Sequence, residues 1–258
     1  MSGDDAGSDG RPPVKKYGPG DAADVHRWSG GLTWIAHPDE TMHRASHALA
    51  VGPDGAPVVG RDPPSDAAVW LVEPIHVDGL DELLAELGTV AGVVVLAGLH
   101  RRDNTTIADR HDVPVYLPGT VAGLRRRIDA PVEVFEGRLP GTTYRAVPVL
   151  DGVPWSEAVL YDEGTGTLVA TEVLVTSDRA TGRGEPLSVG PYARLQPPRA
   201  ELGDLHVERV LVGHGAPLCD DARSALDHAL ARSFRGIPGY LLDDVAFMLR
   251  AGYVAMRD

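Results

Sequence analysis

The chain has 258 residues, 43% of them apolar and only 5% aromatic, enough for one large domain with a core of Val, Leu and Ala. Its formal net charge of −13, from 37 Asp and Glu against 24 Lys and Arg, excludes nucleic acid as the main partner, because phosphate binding needs a basic face. No apolar run approaches the ~20 residues of a membrane span, and a single cysteine, Cys219, excludes an internal disulfide and fits a cytoplasmic protein.

Residues 1–22 are rich in Gly, Asp and Pro, and predict a disordered acidic tail ahead of a single domain over 23–258. Residues 30–36 and 44–51 read as strands, and the continuous apolar run 67–72 as a buried one. Residues 78–88 predict a helix. Leu80, Leu83, Leu84 and Leu87 share one face, acids crowd its start and Gly88 stops it. The run 90–97 is a central strand. A short helix near 105–110 and a strand over 113–117 follow. This alternation builds a sheet covered by helices, an α/β fold.

Arg125-Arg126-Arg127 reads as a solvated helix end. Short strands follow at 131–135, 142–147, 158–162 and 166–170, the last two joined by a hairpin turn at Asp162-Glu163-Gly164-Thr165-Gly166. Residues 176–201 show no period and predict a long irregular connection. Residues 207–212 form another buried strand, ending at Gly213-His214-Gly215. Two helices, 220–233 and 239–252, close the chain.

Two stretches carry the chemistry. Val95-Leu96-Ala97-Gly98-Leu99-His100-Arg101-Arg102-Asp103 leaves a buried strand, and Val212-Gly213-His214-Gly215 leaves another. Between and before them stand Trp70-Leu71-Val72-Glu73-Pro74, the segment 147–161, and Leu168-Val169-Ala170-Thr171-Glu172-Val173-Leu174. In order and context these five landmarks resemble the metallo-β-lactamase fold superfamily over residues 44–233. The resemblance implies a four-layer αββα sandwich with a metal site between two sheets, at the strand ends.

The family motif HxHxDH then falls on Gly98 to Asp103. Gly98 stands for the first histidine, His100 for the second, Arg102 for the aspartate and Asp103 for the last histidine. The third-histidine position lies near Gly152 or Val153, the bridging aspartate has become Glu172, and His214 matches in type and place. The candidate ligands left by the resemblance are His100, Asp103, Glu172 and His214. They are too few for two ions and enough for one zinc or iron.

Arg102 argues against that ion. The expectation is that its guanidinium replaces the metal by pairing with Glu172 and Asp103. The chain would then bind no cofactor and carry no catalytic residue. Its remnant cleft would take a small molecule or a protein, with no nucleic-acid or membrane partner. The alternative is a mononuclear metal-dependent hydrolase acting on an ester, thioester or lactone. His43 and His47 are expected to sit apart, His37 in a loop, and His26, His76, His111, His206 and His228 at the surface. Cys219 is expected to be a small side chain entering a helix. The 25 Asp and 12 Glu, set against 22 Arg and only Lys15 and Lys16, resemble the balance in proteins of salt-loving archaea.

Overall fold

Side-chain alternation along the strands decides the layers. In the computed structural model, residues 13, 15–20, 23–60, 63–64, 66–152, 155–177, 181 and 185–233 are described. Strands β1 (Asp24–Trp28), β2 (Gly31–Ile35), β3 (Ala45–Val51), β4 (Ala68–Val72), β5 (Thr89–Val94), β6 (Val115–Pro118) and β7 (Val132–Phe135) lie side by side in chain order in one sheet. β1 to β4 pair antiparallel and β4 to β7 parallel. The parallel steps need crossovers. These are α1 (Leu80–Ala85), α2 (Asn104–His111) and a 3₁₀ segment, Gly119–Arg127.

A second sheet holds β8 (Arg145–Asp151), β9 (Ser156–Asp162) and β10 (Thr167–Ala170) as an antiparallel meander. The chain then forms a ribbon of β11 (Leu174–Val175) with β12 (Ser188–Val189) and a short helix α3 (Arg199–Leu202). It returns as β13 (Arg209–Val212), parallel to β10, and runs into α4 (Ala222–Arg232).

Three apolar clusters follow from the alternation. Ala48, Val69, Leu71, Val93 and Val95 point to one side of the first sheet, under Leu80, Leu84, Ile107 and Leu124. Their neighbours Leu49, Val51, Trp70, Val72, Val94 and Leu96 point the other way and meet Leu160, Val169 and Leu211 of the second sheet. Leu168, Ala170, Val210 and Val212 face outward again, under Leu202, Leu226 and Leu230. Helices, sheet, sheet and helices are thus the four layers of the expected αββα sandwich. Each fully buried Val or Leu contributes roughly 1.5–3 kcal/mol.

The structure departs from expectation in several places. β1 carries little sign of itself in sequence, because its residues are half exposed on a sheet edge. α1 begins only at Leu80, since Gly79 before it takes a left-handed φ of 75°. The stretch expected to be irregular contains β12 and α3. The pattern does not mark the 3₁₀ segment over Gly119–Arg127, although the exposed arginine triplet does form a helix end as expected.

Residues 15–20, placed by sequence in the tail, are held against the domain. Lys16 N–H donates to Glu40 at 2.9 Å, Arg44 Nη2 donates to Lys16 O at 2.7 Å, and Gly20 bridges to Val77. The helix expected at 239–252 and most of residues 1–14 lie outside the described residues. No helix among the described residues is long and apolar enough to cross a membrane.

Candidate functional site

The two sheets converge at one polar corner, built by the chain immediately beyond β4, β5, β10 and β13. Beyond β5, Gly98 N–H donates to Ser156 O at 2.9 Å, which ties the loop carrying His100 to the second sheet. Glu73 follows β4 and is fully buried. It accepts the backbone N–H groups of Leu96 and Ala97, both at 3.0 Å, and so fixes the start of that loop.

Glu157, at the start of β9, does the same for the next loop. Its carboxylate accepts Thr171 N–H at 2.7 Å, Glu172 N–H at 3.0 Å and Val173 N–H at 2.7 Å. Successive N–H groups in a turn form a natural anion cradle. Burial pushes the Glu157 carboxyl up to about 8, with Glu172 and Glu73 adding to the rise while the N–H groups pull it down.

These loops deliver a chain of alternating acids and imidazoles. His100 Nδ1 donates to Glu73 Oε2, and His100 Nε2 lies 2.7 Å from Glu172 Oε1. The same Glu172 oxygen meets His214 Nε2 at 2.8 Å, and His214 Nδ1 donates to Met42 O at 2.8 Å. Burial is the largest influence on His100 and lowers its pKa, but Glu73 and Glu172 together outweigh it. Even with Arg102 opposing, the imidazole is lifted to about 9 and carries a proton at neutral pH. Burial raises the Glu73 carboxyl, yet His100 and Arg102 hold it down at about 2. Glu172 is driven below the usual carboxylate range by its two histidines, against the effect of its burial.

Arg102 closes the corner from below, its side chain only 4% exposed. Nη1 donates to Ala45 O and to Glu73 O, the latter at 3.1 Å, and Nη2 donates to Gly213 O at 3.2 Å. Its charge partner is the Glu73 carboxylate, at 3.7 Å. The expected pairing with Glu172 and Asp103 is therefore corrected. The guanidinium instead draws together three backbone carbonyls.

Asp103 lies outside the cluster. It stands at the start of α2, where Oδ2 accepts His76 N–H at 2.8 Å. Glu73, His43 and Arg102 all take positive φ, of 47°, 44° and 40°. A side chain in that region costs about 1–2 kcal/mol, so the network holds strained backbone in place.

Of the four candidate ligands, the structure brings together His100, Glu172 and His214, whose donor atoms all lie within 4.8 Å of one another. Sequence reasoning missed Glu73 and Glu157. Their signal was an acid beside an otherwise apolar strand.

His47 is buried in β3. It shares a 2.8 Å hydrogen bond with Thr33 Oγ1, and its Nε2 meets Val212 O at 3.1 Å. Burial, with Arg102 adding to it, lowers its pKa to about 3 and keeps it neutral. His37 is buried against Gly18 O, and His111 sits half-buried near Asp81. Cys219 is exposed ahead of α4.

No family model matches the sequence, and comparison with curated proteins gives no match. Solved structures do match in shape. The DIM-1 metallo-β-lactamase aligns over 82% of this chain and 97% of its own, at TM-score 0.52 and 10% identity. The metallo-β-lactamase FIM-1 from Pseudomonas aeruginosa, in a mono-zinc form, covers 84% and 99% at TM-score 0.51 and 10% identity. A β-lactamase domain protein from Burkholderia ambifaria covers 86% and 75% at TM-score 0.51 and 16% identity.

This is the metallo-β-lactamase fold.

A Cβ on Gly98 would lie 2.5 Å from Ser156 Oγ. Gly152, expected near a third histidine, is exposed, and Val153 lies outside the described residues. Gly213 is required: a Cβ there would lie 2.2 Å from Thr171 O.

In the arrangement they hold, both imidazoles stand closer to Glu172 than two ligands of one ion would. Atoms that share a tetrahedral zinc at 2.0–2.1 Å stand about 3.3 Å apart. The imidazole nitrogens instead lie 2.7 and 2.8 Å from Glu172 Oε1, the distance of a direct hydrogen bond. Arg102 and protonated His100 supply two positive charges opposite the Glu73 and Glu172 carboxylates.

Proposed function

We propose that this protein is a non-hydrolytic member of the metallo-β-lactamase fold whose cleft has been kept for binding a small molecule. The observation that carries the reading is the placement of Arg102. A permanent cation, buried and bonded to three carbonyls, stands in the segment where the resemblance puts a metal-ligating acid. A second positive centre at ~4 Å would be repelled by several kcal/mol at intermediate dielectric. The acid excess supports a chain suited to concentrated salt, and its lone thiol supports a cytoplasmic one.

The cleft beside the corner supports the ligand role. Trp155 and Tyr192 stack with ring centroids 3.6 Å apart and, with Leu99, form an apolar wall facing His100 and His214. Aromatic faces of this kind suit the body of a small organic ligand.

A mononuclear metal-dependent hydrolase is the second reading. It is favoured by His100, Glu172 and His214 lying together, with each imidazole Nδ1 steered by an acceptor, as in metal sites. Metal analysis of protein purified without chelator or immobilised-metal resin separates the two. The expected result is zinc, iron and manganese far below stoichiometric, with no hydrolysis of ester, thioester or lactone probes. Stoichiometric metal that disappears in His214→Ala together with such activity overturns the proposal.

A further inference from the structure

In a chain of net charge −13, one groove runs against the balance. It occupies about 500 Å³ beside the His100 loop, and its walls include Lys15, Lys16, Arg44, Arg101, Arg102 and Arg127. Both lysines of the sequence are there. Its acids are Asp103, already engaged by the His76 N–H, and Asp129. Three of the cations are matched by carboxylates: Lys16 by Asp39, Arg44 by Glu40, and Arg102 by Glu73.

Arg101 and Arg127 are different. Among the described residues neither forms an ion pair, and the Nε of Arg101, like that of Arg102, is buried with no hydrogen-bond partner. The two arginines repel one another: burial, and then the Arg127 charge, lower the pKa of Arg101. Lys15 is crowded in the same way, its pKa brought to about 8 by burial and then by Arg44, Arg102 and Arg101 against Glu40. Like charges gathered at a concave surface raise the local potential for an anion.

We propose that this groove binds the phosphoryl group of a small molecule, with Arg101 and Arg127 as its main contacts and Lys15 beside them. The proposal rests on the reading of the cleft as a ligand pocket. A phosphoryl dianion offers three acceptor oxygens to guanidinium forks, whereas a carboxylate brings one charge to a site where several cations meet. The groove joins the Trp155–Tyr192 wall, since Lys15, Arg44, Arg101 and Arg102 line both. At about 500 Å³ the groove itself has room for the ester group of a phosphate monoester. A nucleic acid strand does not suit the surface, because beyond the groove it would run onto the acid excess.

Calorimetric titration of the full chain, with chelator present throughout, tests this. The probes are phenyl phosphate, inorganic phosphate and benzoate. Saturable one-site binding of a phosphate is expected, with no saturation by benzoate over the same range. Tighter binding of phenyl phosphate marks an ester as the natural ligand, and equal binding marks free phosphate. Arg101→Glu and Arg127→Glu should each weaken binding by about tenfold or more, the worth of one charge-assisted contact. Arg126→Glu makes the same charge change on the same segment, away from the groove, and should leave binding within about twofold.

The proposal is overturned if neither phosphate saturates, if benzoate binds equally, or if Arg126→Glu costs as much as Arg127→Glu. Because chelator is present, a metal found in the separate analysis would defeat the non-hydrolytic reading and leave this result standing.

Discussion

The His100 corner and the Arg127 groove share a wall, Arg101-Arg102, and treat charge in opposite ways. In the corner, acids and bases alternate, and each imidazole nitrogen faces an oxygen. In the groove, Arg101 and Arg127 repel one another and neither forms an ion pair among the described residues. A buried network of matched acids and bases gains little from a further ion and holds its loops in place. A surface with unmatched charge gains from an added anion. The difference separates what the cleft uses for structure from what it offers to a ligand.

The sharpest way to break that distinction is to remove one arginine from each side. Arg102→Ala strips three carbonyls of their donor and leaves Glu73 buried beside His100 alone. Urea denaturation at pH 7 should show a loss of about 3–5 kcal/mol, as for other broken buried pairs. Arg127→Ala, on an exposed side chain, should stay within about 0.5 kcal/mol. Equal losses would mean that the corner is not a network at all.

His100→Gln comes next, with an expected loss of about 2–3 kcal/mol that depends on pH. The sign follows from the direction of each shift. His100 is raised from 6.5 to about 9 in the folded chain, so its contribution is complete below pH 6.5 and is lost as pH rises through 9. Glu73 is lowered from 4.5 to about 2, so its contribution is complete above pH 4.5 and is lost as pH falls through 2. The stability difference between wild type and variant should be flat from pH 4.5 to 6.5 and shrink on either side. A difference unchanged up to pH 10 would show that His100 serves by shape rather than by charge.

Much of the fold was legible because its central strands are buried on both faces. Runs such as Val93-Val94-Val95-Leu96 and Val210-Leu211-Val212 leave no other use for themselves. β1 was not legible, since Asp24-Val25-His26-Arg27-Trp28 buries little beyond its tryptophan. The site divides in the same way. His100, Glu172 and His214 were found because strand ends carry them to one place. Asp103 was misplaced because one more residue past Arg102 begins α2 and turns the carboxylate to His76. Glu73 and Glu157 were passed over because an acid next to a strand reads as a turn. Their role rests on backbone N–H groups from other loops, and sequence spacing does not encode such contacts.

The smallest effect belongs to the other histidine of the sheet interface. His47 crosses from β3 to the Val212 carbonyl of β13, with Thr33 Oγ1 on its other nitrogen and Trp28 Nε1 donating to the same hydroxyl at 3.2 Å. Thr33→Val preserves shape and removes the hydroxyl, which leaves a ring nitrogen and an indole N–H unsatisfied. A loss of about 1–2 kcal/mol is expected. Its pH behaviour should mirror that of the corner. A neutral histidine whose pKa falls from 6.5 to about 3 costs the fold stability as pH drops below 6.5, because the unfolded chain takes the proton first. Thr33→Val changes how well the neutral ring is held and leaves that cost in place. Wild type and variant should therefore lose stability in parallel from pH 6.5 downward. Convergence of the two curves in acid would show that His47 is protonated in the folded chain, and that the second sheet is held by a charge.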